Sequence, residues 1–440
     1  MKNNLIEDLR SLNSHSLLFF IPLIFLISSC GSHKAIPEDK IDATLQLAAN
    51  QYKSMAGKLP DGRFPKTYYA KEDRFETSGS EWWVSGFYPG TLLYLYEATG
   101  DPALKTEADR IMKALKKEQF NTSTHDLGFM MFCSFGNANR LNPQDDYPEI
   151  LMNSAKSLAS RFNEKVGAIR SWDSDGDSFI VIIDNMMNLE LLFWASEYSG
   201  DSRYKEMAIT HANTTLKNHF RNNNSSYHVV DYNENTGEIL EKRTAQGAAD
   251  ASAWARGQAW GLYGFTVAYR ETKDPKYLRQ AEDIAEFILN HPNLPEDMIP
   301  YWDFNAPNLP DALKDSSAGA ITASALLELA RYVDKKPGKK YYQAAEKMLS
   351  SLMNKEYLAE KGKNGGFILK HGVGHLPQNS EVDVPLTYGD YYFTEALLRY
   401  KNYPPPGKAI DIMDNIQKKQ ITGIVNERKG LEDNCLYKLL

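Results

Sequence analysis

The stretch LELLFWASEYSGDSRYKEMAITHANTTLKNH, residues 189–219, decides the fold. Its first part, to Ser199, is apolar almost all round, the mark of a buried helix. Its second part, from Tyr204, is apolar on one side only, the mark of a helix that covers another. Gly200-Asp201 is the turn between them. The same unit recurs along the chain. Residues 91–99 run through Gly100-Asp101 into 103–117; 254–271 run through Lys273-Asp274-Pro275 into 277–290; 321–333 run through Pro337-Gly338 into 341–353. Further helices are predicted at 39–56, 149–162 and 386–400. Five or six such hairpins, unevenly spaced, predict an all-α chain closed into an (α/α) toroid. The variable lengths fall in the connections that enter the inner helices, and there the composition turns unusual, as expected of loops that carry a site.

The chain has 440 residues, enough for two ordinary domains, yet no Pro/Gly/Ser linker divides it before Pro404. Residues 1–30 read as an export signal: Lys2 and Arg10 flank the start, and 17–27 form a short apolar core. The core ends at LISSCG, residues 26–31, which resembles a bacterial lipoprotein cleavage box. That makes Cys30 the lipidation site and predicts an exported protein, periplasmic or outer-membrane associated, that meets the membrane only through its lipid. Residues 31–40 follow as a polar tether, 41–403 as the catalytic domain, and 404–440 as a tail whose order the sequence leaves open.

Beyond Cys30 only Cys133 and Cys435 remain, so there is no disulfide framework. No CxxC pair and no HExxH occurs. RSWDSDGD, residues 170–177, is oxygen-rich but lacks the twelfth-position glutamate of an EF-hand, so no metal is assigned. Without a GxxxxGK[ST] or a GxGxxG after a strand, no cofactor is assigned either. A formal charge of −7 argues against a nucleic-acid partner, while leaving room for an anionic small substrate.

Asp184 follows the apolar run 179–183 and precedes the helix of the opening stretch. With Asn185 it sits where an N-cap belongs. An acid among such neighbours is also desolvated, which raises its pKa towards the range useful for proton transfer. Other stretches depart from core composition. SEWWVSGFYP, residues 80–89, carries the adjacent Trp82 and Trp83, which are hard to bury together and suit sugar stacking. THDLGFMMFCSFGN, residues 124–137, opens with His125 and Asp126, again a helix-capping position. YHVVD, residues 227–231, contributes His228. Densest is AQGAADASAWARGQAWGLY, residues 245–263, with Gln246, Trp254, Arg256 and Trp260. So many polar groups in an apolar block point to a ligand. Trp254 and Arg256, two apart, both face it only if one precedes the helix. Arg256 suits a carboxylate held bidentately, or an aspartate of the protein itself.

HDLGF, SWD, IIDNMMN, YHVVDYN, QG…WARGQAWGLYGF, PYWDFNAP and SEVDVPLTYGDYYFTEALLRY, in that order, resemble the unsaturated glucuronyl hydrolases of glycoside hydrolase family 88. The resemblance spans roughly residues 40–402 and stops before the tail. It implies an (α/α)6 barrel and a substrate bearing a 4,5-unsaturated uronic acid at its non-reducing end, as left on oligosaccharides by a lyase. It implies Asp184 as the acid that protonates C4 and Asp126 as the second essential acid. Trp83, Trp172, Trp254 and Trp260 would line the ring site, Gln246 and Arg256 would hold the uronate, and His125 and His228 would contact hydroxyls or water. The related hydrolases acting on rhamnogalacturonan fragments share the paired aspartates, and a sugar-capturing lipoprotein would use the tryptophans alone. Residues 369–381, LKHGVGHLPQNSE, precede the last inner helix and form a donor-rich set in which Lys370, His371 and Ser380 would read a sulfate on the leaving sugar. The middle pair Leu376-Pro377 suggests a fixed loop. Oligomeric state is left open.

Overall fold

Helix α6, Leu189–Ser199, has the bounds expected of it. Gly200 ends it at φ +74°, donating its N–H to the Ser196 carbonyl, a left-handed turn that costs glycine no Cβ strain. Asp201 then caps α7, Ser202–Asn218, by accepting the Arg203 N–H at 3.1 Å. Gly100 and Asp101 do the same between α2, Phe87–Thr99, and α3, Pro102–Leu115.

The computed structural model describes residues 35–406. Among them twelve α-helices alternate between a lining and a cover. The even-numbered ones line the ring: α2, α4 (Asn137–Leu141), α6, α8 (Ala255–Thr272), α10 (Ser316–Leu329) and α12 (Thr387–Asn402). The odd-numbered ones surround them: α1 (Glu38–Ala56), α3, α5 (Tyr147–Ala159), α7, α9 (Pro275–Asn290) and α11 (Lys335–Leu352). Every residue of α10 is buried, whereas α9 buries one stripe, Tyr277, Ala281, Ile284, Ala285 and Ile288. The ring closes where α12 packs on both α10 and α2, with α1 against α2 and α12. This is the six-hairpin (α/α)6 barrel.

One boundary and the character of the connections differ from the reading of the sequence. The domain starts before residue 41: α1 begins at Glu38, and the Ile36 N–H reaches Tyr400 Oη at 3.2 Å, so the last residues assigned to the tether belong to the barrel. The connections are also not purely irregular. They carry four small antiparallel sheets: β1 (Phe64–Tyr69) with β2 (Arg74–Ser78), β3 (Phe162–Asn163) with β4 (Ala168–Ile169), β5 (Ser178–Ile182) with β6 (Val229–Asn233) and β7 (Ile239–Arg243), and β8 (Gly372–His375) with β9 (Ser380–Val384). The β-branched run 180–183 fits a pleated surface, which is why a strand precedes the helix here. Cys30, the signal segment and the tail beyond residue 406 lie outside the described residues.

Candidate active site

Strand register assembles the first half of the site. β5 pairs with β6 so that Ile182 faces Val229, and the Ile183 N–H donates to the His228 carbonyl at 3.0 Å. Asp184 and His228, each just off a strand end, therefore meet, with His228 Nε2 3.7 Å from Asp184 Oδ2. His228 Nδ1 accepts the N–H groups of Ala245 (3.1 Å) and Gln246 (3.2 Å), so the ring proton is on Nε2, facing the carboxyl. Burial, reinforced by the Arg256 charge, holds the His228 pKa well below the usual imidazole value and keeps the ring neutral.

Asp184 does not cap a helix. It lies inside a 3₁₀ turn, Ile183–Asn188, that feeds α6, and neither that turn nor α6 has a side-chain cap. Its carboxyl faces His228 instead. Burial pushes its pKa up to about 7, the charge of Asp126 adds to the rise, and Arg256 and Trp260 oppose it.

Asp126 supplies the second acid, and it too makes no cap bond to the stretch it introduces, a π-helix over Gly128–Gly136. Such helices are rare and concentrate at functional sites. Thr124 Oγ1 donates to Asp126 Oδ2 at 3.2 Å and accepts the Asp126 N–H at 3.1 Å. His125 Nδ1 donates to the Ser171 carbonyl at 2.9 Å, leaving the Nε2 lone pair 3.2 Å from Asp126 Oδ1. Burial lowers His125 to about 3 and raises Asp126 to about 7, with Thr124, Asn188 and Arg161 working against the rise. Two glycines permit this crowding. A Cβ on Gly86 would sit 2.1 Å from the Phe129 carbonyl oxygen, and one on Gly128 would sit 2.5 Å from Asn188 Cα.

Aromatic rings join the acids into one wall. Trp254 lies 4.5 Å from the His228 ring and Trp172 meets that ring edge-on at 5.9 Å. Trp83 packs 5.0 Å from Tyr388 and 5.6 Å from Phe129, which in turn lies 5.1 Å from Trp260. The adjacent tryptophans divide as their size demands: Trp83 is half-buried, and Trp82 is 44% exposed with Lys66 Nζ 5.5 Å over its ring. Trp254 precedes α8 and Arg256 is inside it, the condition for both to face one site.

Arg256, 1% exposed, stacks 4.6 Å over Trp254. Three of its contacts are within the protein. Nη1 pairs with Asp315 Oδ2 at 2.9 Å and donates to the Val373 carbonyl at 2.5 Å; Nη2 donates to the Gly374 carbonyl at 2.6 Å. Gln246 Nε2 takes the same Gly374 oxygen at 3.0 Å. The aspartate partner foreseen as one reading for this arginine is Asp315.

The segment 369–381 is the fixed β8–β9 hairpin rather than a loose loop. Lys370 and His371 have protein partners of their own. Lys370 Nζ donates to the Lys355 carbonyl at 2.7 Å, and His371 Nδ1 pairs with Asp383 at 2.6 Å. Ser380 lies beside the tip, in register with His375. In the oxygen-rich segment 170–177, Asp173 is engaged by Arg161 at 2.9 Å.

Sequence reasoning did not single out Asp315, Tyr388, Asn188 or Thr124. Tyr388, 5.1 Å from Arg256, lies in the SEVDVPLTYGDYYF block and had a signal; Asp315 had none, because its partner is 59 residues away. A separate cavity of about 470 Å³ lies among the C-terminal halves of the inner helices, lined by Tyr94, Trp194, Tyr263, Glu395 and Arg399. Asp126, Asp184, His125, His228 and the tryptophans 83, 172, 254 and 260 do not line it.

Residues 53–406 match the family described as Glycosyl Hydrolase Family 88. The chain is 42% identical over 394 residues to an unsaturated glucuronyl hydrolase of Formosa agariphila, covering 88% of this chain and 98% of that protein. It is 33% identical over 382 residues to an unsaturated chondroitin disaccharide hydrolase of Streptococcus pyogenes serotype M1, covering 84% and 94%. The crystal structure of an unsaturated glucuronyl hydrolase specific for heparin superposes with a TM-score of 0.80 at 48% identity, over 83% of this chain and 97% of that one. With its barrel, its two buried acids and this match along most of its length, the chain belongs to glycosyl hydrolase family 88.

Proposed function

We propose that this protein removes 4,5-unsaturated uronic acid from the non-reducing end of glycosaminoglycan disaccharides by hydrating the C4=C5 enol ether. Asp184 gives its proton to C4 and takes one from the water that adds at C5; the resulting hemiketal opens and releases the second sugar. The observation that carries this reading is the pair of acids in one pocket, each against a buried imidazole, Asp184 3.7 Å from His228 and Asp126 3.2 Å from His125, with burial raising both acids and keeping both rings neutral. His228, with its proton on Nε2, is a donor beside Asp184, suited to orient the attacking water. The Arg256 guanidinium, already bound to Asp315, acts on the uronate through its field and not as a bidentate grip. The N-terminal ends of α8, α10 and α12, which Trp254, Asp315 and Leu386 precede, add partial positive charge around the same place.

The 48% identity to the heparin-specific structure supports a heparin-type disaccharide ahead of a chondroitin-type one. If sulfate is read, the donors for it are at the hairpin tip, His375, Gln378 and Ser380, in place of Lys370 and His371. Cys30, after the apolar core of residues 17–27, is read as the lipid attachment point of an exported protein, which fatty-acid labelling of wild type and Cys30→Ser would test.

The central test follows the ultraviolet absorbance of the enol ether in lyase-generated disaccharides, in deuterium oxide. Absorbance should disappear and deuterium should appear at C4. A saturated uronic disaccharide should survive untouched. Its cleavage, or a product with no deuterium at C4, would rule out hydration.

A further inference from the structure

Burial raises both acids, and each bears on the other's charge, so the surrounding groups decide which is charged and which keeps the proton. Asp184 must keep it if it is to protonate carbon. Asn188 stands where that decision is made. It is fully buried, on the turn that carries Asp184 and four residues after it. Its Oδ1 accepts the Phe129 N–H at 3.0 Å. That bond fixes which way the amide points, because a backbone donor needs the oxygen and not the nitrogen. Nδ2 is consequently the free end, buried, with no partner inside hydrogen-bond geometry. An amide left so is costly unless it serves a group that is charged or bound during the reaction. Gly128 lets this happen, since any side chain there would strike Asn188 Cα. Asp126 opens the helical stretch whose Phe129 N–H Asn188 holds, its carbonyl accepting the Met130 N–H at 2.8 Å, and the Asn188 side chain is one of the groups that act on its carboxyl.

We propose that Asn188 is a positioning residue that ties the two acid-bearing segments together and, by aiming Nδ2–H at Asp126, makes Asp126 the charged member of the pair. Its effect on Asp126 is in the same direction, lowering the carboxyl's pKa. The other groups facing Asp126 are the Thr124 hydroxyl, the neutral His125 ring, the Arg161 cation and Asp184 itself. Thr124 and Arg161 favour the charged form as well, whereas the His125 Nε2 lone pair, 3.2 Å from Oδ1, favours the protonated one; Asn188 is the donor that sits on the other acid's own turn while bonding the Asp126 stretch through the Phe129 N–H.

The inference rests on the proposed hydration, and the test separates the two. Wild type is assayed first on an unsaturated disaccharide; no turnover there overturns the hydration reading, while infrared difference titration of the buried carboxyls still tests Asn188. In Asn188→Leu, which keeps bulk but no donor, one buried carboxyl should titrate at higher pH than in wild type, and kcat should fall by roughly 10–100-fold with KM little changed. Asn188→Asp keeps the oxygen for the Phe129 N–H. Protonated, it still donates to Asp126; ionised, it repels it. Its kcat should therefore approach wild type in acid and drop as pH rises, a rescue that Asn188→Leu lacks. An unmoved carboxyl titration in Asn188→Leu, or an Asn188→Asp enzyme whose loss is the same at every pH, would show a merely structural residue. If Asn188→Leu does not fold, the pH dependence of Asn188→Asp decides alone.

Discussion

Asp184→Asn removes the proton donor without changing shape. Its turnover should fall by about 10²–10⁴-fold, measured as loss of enol-ether absorbance. Stability should move the other way. Asp184 holds its proton in the fold up to about 7, whereas an unfolded aspartate releases it near 4. The folded state is therefore penalised as pH rises through that window, and asparagine escapes the penalty. Asp184→Asn should be more stable than wild type at pH 8 by on the order of 1–3 kcal/mol and nearly equal at pH 4, by urea unfolding. Near-normal turnover in the folded variant would remove Asp184 from the chemistry. The rate profile follows from the same groups. Activity should decline on the alkaline side near pH 7 as the acid pair loses its proton, and His228→Gln should leave that limb where it is, because His228 stays neutral throughout. A limb that moves with His228 would assign the titration to the imidazole. Asp184 stood out in the sequence because a lone acid after five apolar residues is a local pattern, but its role, like those of Asp126 and His228, came from the family resemblance. Arg256 was legible as a candidate site residue but its protein partner was not named: planar charge suits a substrate carboxylate and a protein carboxylate alike, and Asp315 lies in another element.

Helices of this barrel were largely readable because each carries its own period and its own stop, as Gly200 and Asp201 do for α6 and α7. The small sheets were not, since two- to six-residue strands such as β3 and β1 leave no period to detect. At this scale Asp315 is a keystone. It caps α10 by accepting the Ser317 N–H at 3.0 Å, neutralises Arg256, and accepts the Val373 N–H of β8 at 3.3 Å. Asp315→Ala strands a buried guanidinium and uncaps a helix together. It should cost roughly 3–5 kcal/mol in urea unfolding, and Asp315→Asn, which keeps the cap, distinctly less. Equal losses in the two would mean that the charge contributes little.

For the whole molecule, the ring is closed by its ends. Tyr52 Oη of α1 donates to Asp390 Oδ2 of α12 at 3.1 Å across 338 residues, and Gln51 Nε2 reaches the Phe367 carbonyl at 3.0 Å across 316. A chain starting at residue 35 retains every one of these contacts and should melt and turn over like the full protein. One starting at residue 58 loses α1 and exposes apolar surface on α2 and α12, so it should be recovered as aggregate. A soluble, active product from the shorter chain would mean that α1 is dispensable. Such closure also has a consequence in time. The rings that wall the site come from Trp83 at one end of the chain and Tyr388 at the other, so no shorter nascent chain contains the complete wall. At about 5–20 residues per second, synthesis of the segment between them occupies tens of seconds during which early helices wait for partners not yet made. Activity should appear on the ribosome as a single late step, and every prematurely ended chain should be a client for chaperones and proteases instead of a weak enzyme.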